Sequence, residues 1–274
     1  MLDGDGPLRT FLKRQYGVRE ASLRLLIDDE DKRVYRLDQI GKPPWLLRVT
    51  SSESRSTSAH HDAAVLTLLE RLNYPAPRVV RALSGAAVAS DGTLHAEMTT
   101  FVDGRPPSFS PDHLGLIGEA VGRLHALPLP LVPERATSRP SALRPASMLP
   151  RREIAASLSW LAEVRHEVRQ EQRPRFDALE AACQALNDGE DLPSVLIHND
   201  CHPGNCIMTA ERGAVLIDWE GAGLGPAVID VGFLLVSCEI DAFRPNRLPP
   251  DPARVQAVVD GYCRHHHLTT AELD

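Results

Sequence analysis

Two short apolar runs, each ending in a carboxylate, constrain this chain more than any other feature. Val195-Leu196-Ile197 leads into His198-Asn199-Asp200-Cys201-His202-Pro203-Gly204-Asn205. Thirteen residues past Asn205, Val215-Leu216-Ile217 has led into Asp218-Trp219-Glu220. Runs this short and rich in Val and Ile read as buried strands. The spacing therefore predicts Asp200 and Asp218 at the mouths of adjacent strands rather than on a solvated helix face, with Asn205 closing the same loop. Two carboxylates and one amide converging on a cleft form a hard-oxygen set suited to Mg²⁺ rather than to a softer metal. A carboxylate beside such a metal accepts a proton from a substrate hydroxyl.

The surrounding chain divides into a strand-rich front and a helix-rich back. Strands are expected over residues 23–27, 33–37, 45–49, 79–83 and 94–100, with one helix over 59–72 carrying an apolar stripe at Val65, Leu68, Leu69 and Leu72. After Asp103-Gly104-Arg105-Pro106-Pro107 helices are expected over about 111–127, 151–171 and 174–186, and again beyond Pro226. No repeat of fixed period interrupts this plan. The expected fold is α+β and bilobal, with a small N-terminal lobe over residues 1–97, a joining segment over 98–103 and a helical C-terminal lobe over 104–274.

The charge balance narrows the partners. Acidic residues outnumber basic ones 37 to 30, a net charge of −7, which argues against a nucleic-acid or membrane-surface binder. Residues 1–103 sum to zero, so the whole excess lies in the second part, where a solvated acidic surface is the first reading and a cationic substrate the second. The only lysines are Lys13, Lys32 and Lys42; the other 27 basic residues are arginines. Five cysteines without Cys-x-x-Cys spacing suit a reducing compartment. With no signal-like start and no apolar run long enough for a bilayer, the expected location is the cytoplasm.

The segment His198 to Asn205 followed by Ile217-Asp218-Trp219-Glu220 resembles the catalytic signature of the aminoglycoside phosphotransferase and choline kinase family, which has a protein-kinase-like fold. Gly122-Arg123-Leu124-His125, Gly225-Pro226-Ala227-Val228-Ile229-Asp230 and Asn73–Val79 resemble further family segments. The resemblance implies a Mg²⁺-dependent phosphotransferase that moves the γ-phosphoryl group of ATP or GTP to an alcohol. It makes Asp200 the catalytic base, Asn205 and Asp218 the metal ligands, and His198 and Asp230 structural braces of the loop. It makes Arg48 and its partner Asp62 nucleotide-binding, with Met98 and Phe101 in the segment whose backbone meets the purine.

Two features depart from the family pattern. Arg48 stands on Trp45-Leu46-Leu47-Arg48-Val49, where the family has a lysine that grips the phosphates, and Asp62 stands for the helix glutamate that orients it. An arginine with a shortened acid is a coherent paired exchange, although the two cations differ in shape; arginine-rich composition is the alternative. The loop Asp28-Asp29-Glu30-Asp31-Lys32-Arg33 has four acids and no glycine where backbone amides normally cover phosphate. Either the loop is displaced and leaves the phosphates to Arg48 and Mg²⁺, or Lys32 or Arg33 reaches back over them, or nucleotide binding is weakened. The last reading makes the chain a non-catalytic, kinase-shaped binding module.

The acceptor carries no motif. Family members phosphorylate aminoglycosides and other antibiotics, choline, homoserine and sugars, and the acidic second lobe leans toward a small, cationic, hydroxylated acceptor, with Glu220, Glu239 and Asp241 as candidate contacts. Oligomeric state is not legible. His198, Cys201, His202 and Cys206 lack zinc-finger spacing. His60-His61 and His265-His266-His267 read as surface histidines, and Trp219 as packing.

Overall fold

The computed structural model describes residues 6–29, 31–51, 53–129, 144–186, 188–189, 191–238 and 251–273. Helix α1 (Gly6–Tyr16) precedes the strands β1 (Ser22–Asp28), β2 (Arg33–Asp38) and β3 (Trp45–Thr50). Then come α2 (Glu53–Arg71), β4 (Val88–Ser90) and β5 (His95–Thr100). The strands form one antiparallel sheet in the order β1-β2-β3-β5-β4. Leu8, Phe11, Leu12 and Tyr16 of α1 join Leu37, Leu47, Ala96 and Met98 in the core of this lobe, and the Tyr16 hydroxyl donates to the Ala96 carbonyl at 3.0 Å.

The strand expected over 79–83 is instead a single bridge between Val79 and Thr99. The outer edge of β5 is shared: β4 pairs with its first half. Beyond that, Val80 N–H donates to Met98 O and Thr100 N–H to Arg78 O. Pro77 just upstream supplies no donor, which limits how far that pairing extends. α1 and β4 were not expected. A register shift in β1 between Leu25 and Ile27 has a use, because a bulge breaks the side-to-side alternation of a strand. Leu26 and Ile27, consecutive in sequence, both line the cleft beneath the sheet.

The second lobe comprises α3 (Pro111–His125), α4 (Pro150–Val164), α5 (Arg173–Gln184), β6 (Ser194–Ile197), β7 (Cys206–Thr209) and β8 (Gly213–Leu216). After these come β9 (Gly223–Pro226), α6 (Ala227–Ser237), α7 (Pro252–Tyr262) and α8 (Thr270–Leu273). The strands expected to be adjacent are not. β6 pairs with β9, and β7 with β8, so the runs before Asp200 and Asp218 belong to separate ribbons. β9 is Gly-Leu-Gly-Pro, invisible to strand propensity. It forms by antiparallel pairing with β6, and glycine at 223 leaves room for Arg144 O and the Ala146 backbone, which a side chain there would strike. The α+β, two-part organisation holds.

The two cores do not divide at residue 97. Val65, Leu66 and Leu69 of α2, with Tyr74 and Ala76, cluster with Leu114, Ile117 and Leu124 of α3 and with Trp219. Helix α2 thus lies in the first half of the sequence but buries its stripe in the core of the second lobe. Met98, expected in the joining segment, belongs to β5 and is wholly buried. Among the described residues no helix is long and apolar enough to cross a membrane.

Candidate active site

The loop after β6 is held by one buried carboxylate. Asp230, in the first turn of α6, accepts from the backbone N–H of His198 through Oδ2 and of Asn199 through Oδ1, both at 2.7 Å. His125 on α3 adds an Nε2 contact to Oδ2 at 3.1 Å. Burial pushes the Asp230 carboxyl up, but the hydrogen bond and charge of His125, with His198 nearby, bring it below its ordinary value. These bonds offset the left-handed backbone of Asn199 (φ 67°), a conformation disfavoured for a residue with a side chain. The expected bracing role of Asp230 has this geometry behind it.

His198 ties the loop to the end of β8. Its Nε2 lies 2.9 Å from Ile217 O, and its ring stacks at a tilt on Trp219, centroids 4.7 Å apart. Ile217 N–H donates to Asn205 O at 2.9 Å. The two strand ends that do not pair with each other are therefore coupled through His198, Ile217 and Asn205. Trp219 is buried, edge-on to Tyr74 at 5.9 Å.

Asp200, Asn205 and Asp218 converge at one end of the cleft. Asn205 Nδ2 donates to Asp200 Oδ2 at 2.7 Å and to Asp200 O at 3.0 Å. Asp200 Oδ1 faces His202 Nε2 at 3.8 Å. With the amide N–H groups of Asn205 spent on Asp200, its Oδ1 accepts no hydrogen bond from the described residues. Asp218, also left-handed (φ 65°), keeps a side chain 40% exposed. Asn205 and Asp218 line the same cavity. An amide oxygen and an open carboxylate on one wall fit a hard divalent cation.

Above them, Arg48 stands among three carboxylates: Asp62 at 3.1 Å, Glu97 at 3.7 Å and Asp218 at 3.3 Å. Glu97 is the direct cross-strand neighbour of Arg48 on β5. Asp62 and Glu97 are buried, so two acids share one guanidinium in a dry setting. Burial raises both carboxyls, and the charge of Asp62 lifts Glu97 further, while the charge of Arg48 opposes both shifts. Glu97 was not anticipated. Its signal was the alternation of β5, which puts residue 97 opposite residue 48 once β3 and β5 are known to pair.

The acidic hairpin resolves into a surface and an inward cation. Asp28, Asp29 and Asp31 are exposed, and Arg33 Nε binds Asp28 at 2.8 Å, turned away from the cleft. Lys32 lines the cavity and meets Glu220 at 2.6 Å. His61, expected at the surface, is buried on α2 with Nε2 2.7 Å from Ala222 O. It links α2 to the segment that follows Asp218. His60 is exposed, and so are His265 and His267. Cys201 and Cys206 are buried, and burial holds both thiols above their ordinary value.

The cavity between the lobes measures about 300 Å³. Leu26, Ile27 and Val34 roof it, Phe101 and Val102 close its back, and Ile207 with Asp218 floors it. Phe101 N–H is taken by Pro44 O at 3.0 Å, and Arg36 stacks on its ring at 4.5 Å. Met98 does not line the cavity, and its carbonyl is taken by Val80. Of the residues anticipated for the site, Arg48, Phe101, Asn205 and Asp218 line the cavity. Asp200 is bound to Asn205 beside it, and Asp62 stands behind Arg48. Glu239 and Asp241 lie outside the described residues.

Solved structures share this arrangement of lobes. An amicoumacin kinase in complex with AMP-PNP, Ca²⁺ and amicoumacin superposes with a TM-score of 0.70 at 17% identity, over 99% of this chain and 80% of that one. A spectinomycin phosphotransferase with ADP and spectinomycin gives 0.67 at 16% identity, over 98% and 82%. A macrolide 2′-phosphotransferase from Brachybacterium faecium gives 0.58 at 21% identity, over 92% and 80%. At these identities the likeness establishes the kinase-like fold. No curated protein sequence matches the chain. A model of the phosphotransferase enzyme family matches residues 22–272, from the first strand of the sheet to the last helix, and the chain belongs to that family.

Proposed function

We propose that this protein transfers the γ-phosphoryl group of ATP or GTP to a hydroxyl of a small molecule, with Mg²⁺ on the nucleotide phosphates. The observation that carries this reading is the hydrogen-bonded pair Asn205–Asp200 beside the open carboxylate of Asp218, at the floor of a cavity large enough for a nucleotide base and ribose. Asn205 through Oδ1 and Asp218 through its carboxylate would hold Mg²⁺, which when bound neutralises charge on the phosphates. Asp200 takes the acceptor proton. Asn205 fixes its Oδ2, which leaves Oδ1 to receive the proton as the acceptor oxygen bonds to the γ-phosphorus. The bond from that phosphorus to the β–γ bridging oxygen breaks, and the nucleoside diphosphate departs with the electron pair.

Phosphoryl transfer needs positioning and charge neutralisation more than covalent help. The residues above supply both. The non-catalytic alternative is motivated by the acidic hairpin and by arginine at position 48; the exposure of Asp28, Asp29 and Asp31 weighs against the first of these. For the acceptor, two of the structural neighbours described above were solved with antibiotics bound, which supports a hydroxylated, amine-bearing antibiotic as the first class to screen. The five free cysteines support a reducing, cytoplasmic setting.

The test is transfer of ³²P from ATP and from GTP to a panel of hydroxylated amines and antibiotics. Asp200→Asn lowers turnover by about 10²–10⁴, the usual worth of a positioned general base, while nucleotide-dependent thermal stabilisation persists. Equal turnover in that variant removes Asp200 from the role of base. Absence of nucleotide binding by the unaltered protein, at millimolar ATP or GTP with Mg²⁺, returns the binding-module reading.

A further inference from the structure

Among the described residues two cations, Lys32 and Arg48, line the cleft, and the structure commits them unequally. Arg48 is surrounded: Asp62, Glu97 and Asp218 all lie within 3.7 Å of its guanidinium, and two of these acids are buried beyond the reach of water. Drawing Arg48 toward a phosphate would leave Asp62 in a dry interior with no counter-charge, a costly arrangement. Its positive charge is already spent within the protein. Lys32 is differently placed. It rises from the turn of the β1–β2 hairpin, where Asp29 N–H donates to Lys32 O at 3.0 Å, and its ammonium meets Glu220 from the other lobe, 188 residues away, at 2.6 Å. Both side chains keep partial contact with solvent, 20% and 28% exposed.

The position of Lys32 is as telling as its freedom. Lys32 and Arg48 line the 300 Å³ cavity, and the same two side chains line a pocket of about 30 Å³ behind it, against Thr50, His95 and Glu97. They form the partition at the charged end of the cleft, the end that also carries Asn205 and Asp218. An ammonium on a four-carbon stem can pivot by several ångströms without moving backbone. The hairpin has no glycine to bring backbone amides over a ligand, so a side-chain cation is the donor it can supply.

We infer that Lys32 is the residue that grips the polyphosphate of the nucleotide, and that Glu220 holds it in place across the cleft until phosphate displaces it. Arg48 is then a positioning residue: it neutralises Asp62, lies against Glu97 and orients Asp218. Phosphate wins the exchange because it offers two or more charges to Lys32 where Glu220 offers one. The exchange also accounts for a hairpin with four acids, since those described face outward while its one lysine faces in. This inference rests on the nucleotide reading of the cavity given above.

Binding, not turnover, separates the alternatives. Calorimetric titration without divalent cation is made with adenosine and with AMP-PNP, on the full chain, its Lys32→Met and Lys32→Arg variants, and Glu220→Gln. Lys32→Met is expected to weaken AMP-PNP by about tenfold or more, as loss of one charge-assisted contact does, and to leave adenosine within twofold. Lys32→Arg recovers most of the loss. Glu220→Gln, which frees the lysine, tightens AMP-PNP severalfold and leaves adenosine unchanged. Unaltered AMP-PNP affinity in Lys32→Met overturns the grip, and an equal loss for adenosine reduces Lys32 to a structural role. Unaltered affinity in Glu220→Gln overturns the holding role. If the unsubstituted protein binds neither these ligands nor guanosine and GMP-PNP, the nucleotide reading falls and this inference with it.

Discussion

The guanidinium of Arg48 and the carboxylate of Asp218, 170 residues apart in the chain, meet across the cleft at 3.3 Å. This contact ties the sheet of the first lobe to the Asp218 wall of the second, and it places Arg48 over two buried acids at the same time. Replacing Arg48 by Met therefore removes the counter-charge of Asp62 and the cation nearest Glu97 together. The expected cost is about 3–5 kcal/mol, as for other buried pairs broken from one side. Adding Asp62→Asn and Glu97→Gln should restore most of it. Urea midpoints of the single and triple variants measure both, and equal midpoints for the two would refute the pairing.

Glu97 makes stability depend on pH in an unusual direction. Burial first, and the charge of Asp62 second, raise its carboxyl well above the ordinary value. A group whose folded pKa lies above its unfolded one contributes stability that is present at low pH and lost as pH rises through the folded value. Glu97→Gln cannot ionise. Its melting temperature relative to the parent should therefore climb as the buffer goes from pH 5 to pH 8.5. A constant difference across that range would show that folding does not shift the Glu97 carboxyl from its unfolded value.

Asp230 has the opposite sign. Burial alone would raise it, but His125 and the backbone N–H groups of the loop after β6 hold it below its ordinary value. Its contribution is therefore complete above the unfolded carboxylate pKa of about 4 and is lost as pH falls through the folded value. Melting curves of the parent should drop on acidification below about pH 4, and Asp230→Asn, destabilised at neutral pH, should show a shallower drop. Parallel acid limbs would place the acid sensitivity elsewhere.

Helices α3 and α7 touch through glycine. A methyl group at Gly118 would strike Val258 O, one at Gly122 would strike Tyr262 O, and one at Gly261 would strike Gly115 O. Gly118→Ala should cost about 1–3 kcal/mol through overpacking. Gly232 on α6 has nothing within 4 Å of the same position, so Gly232→Ala should instead stabilise by about 0.5–1 kcal/mol, the usual difference between these residues in a helix. Denaturant unfolding of the two variants gives opposite signs if the crossing is as close as described.

Much of this site could be read along the chain, because its parts are local. The interval from Asp200 to Asn205 fits one loop, and Val215-Leu216-Ile217 delivers Asp218 whatever the strand pairs with. Helix α3 was legible from its apolar spacing, while α1, a short stripe of Leu8, Phe11 and Leu12, was passed over between turn residues. β9 was not legible, since Gly223-Leu224-Gly225-Pro226 becomes a strand only by pairing with β6, nearly thirty residues earlier in the chain. The inward histidine of the pair His60-His61 was missed for a similar reason: only the path of the chain near Ala222 tells which of the two is buried.

The sequence by itself determined that two strand-end acids and an amide share a loop system, that the chain has a strand-rich front and a helical back, and that lysine is scarce. Those are properties of apolar period and residue spacing, which act over a few neighbouring positions. Only the tertiary structure decided where charge balances. Arg48 stood in the expected place, but that Glu97 joins Asp62 beside it depends on the β3–β5 register. That Lys32 meets Glu220 depends on how the two lobes face each other. Ion pairing is set by distance through space and by exclusion of water, and neither is written in the order of residues along the chain.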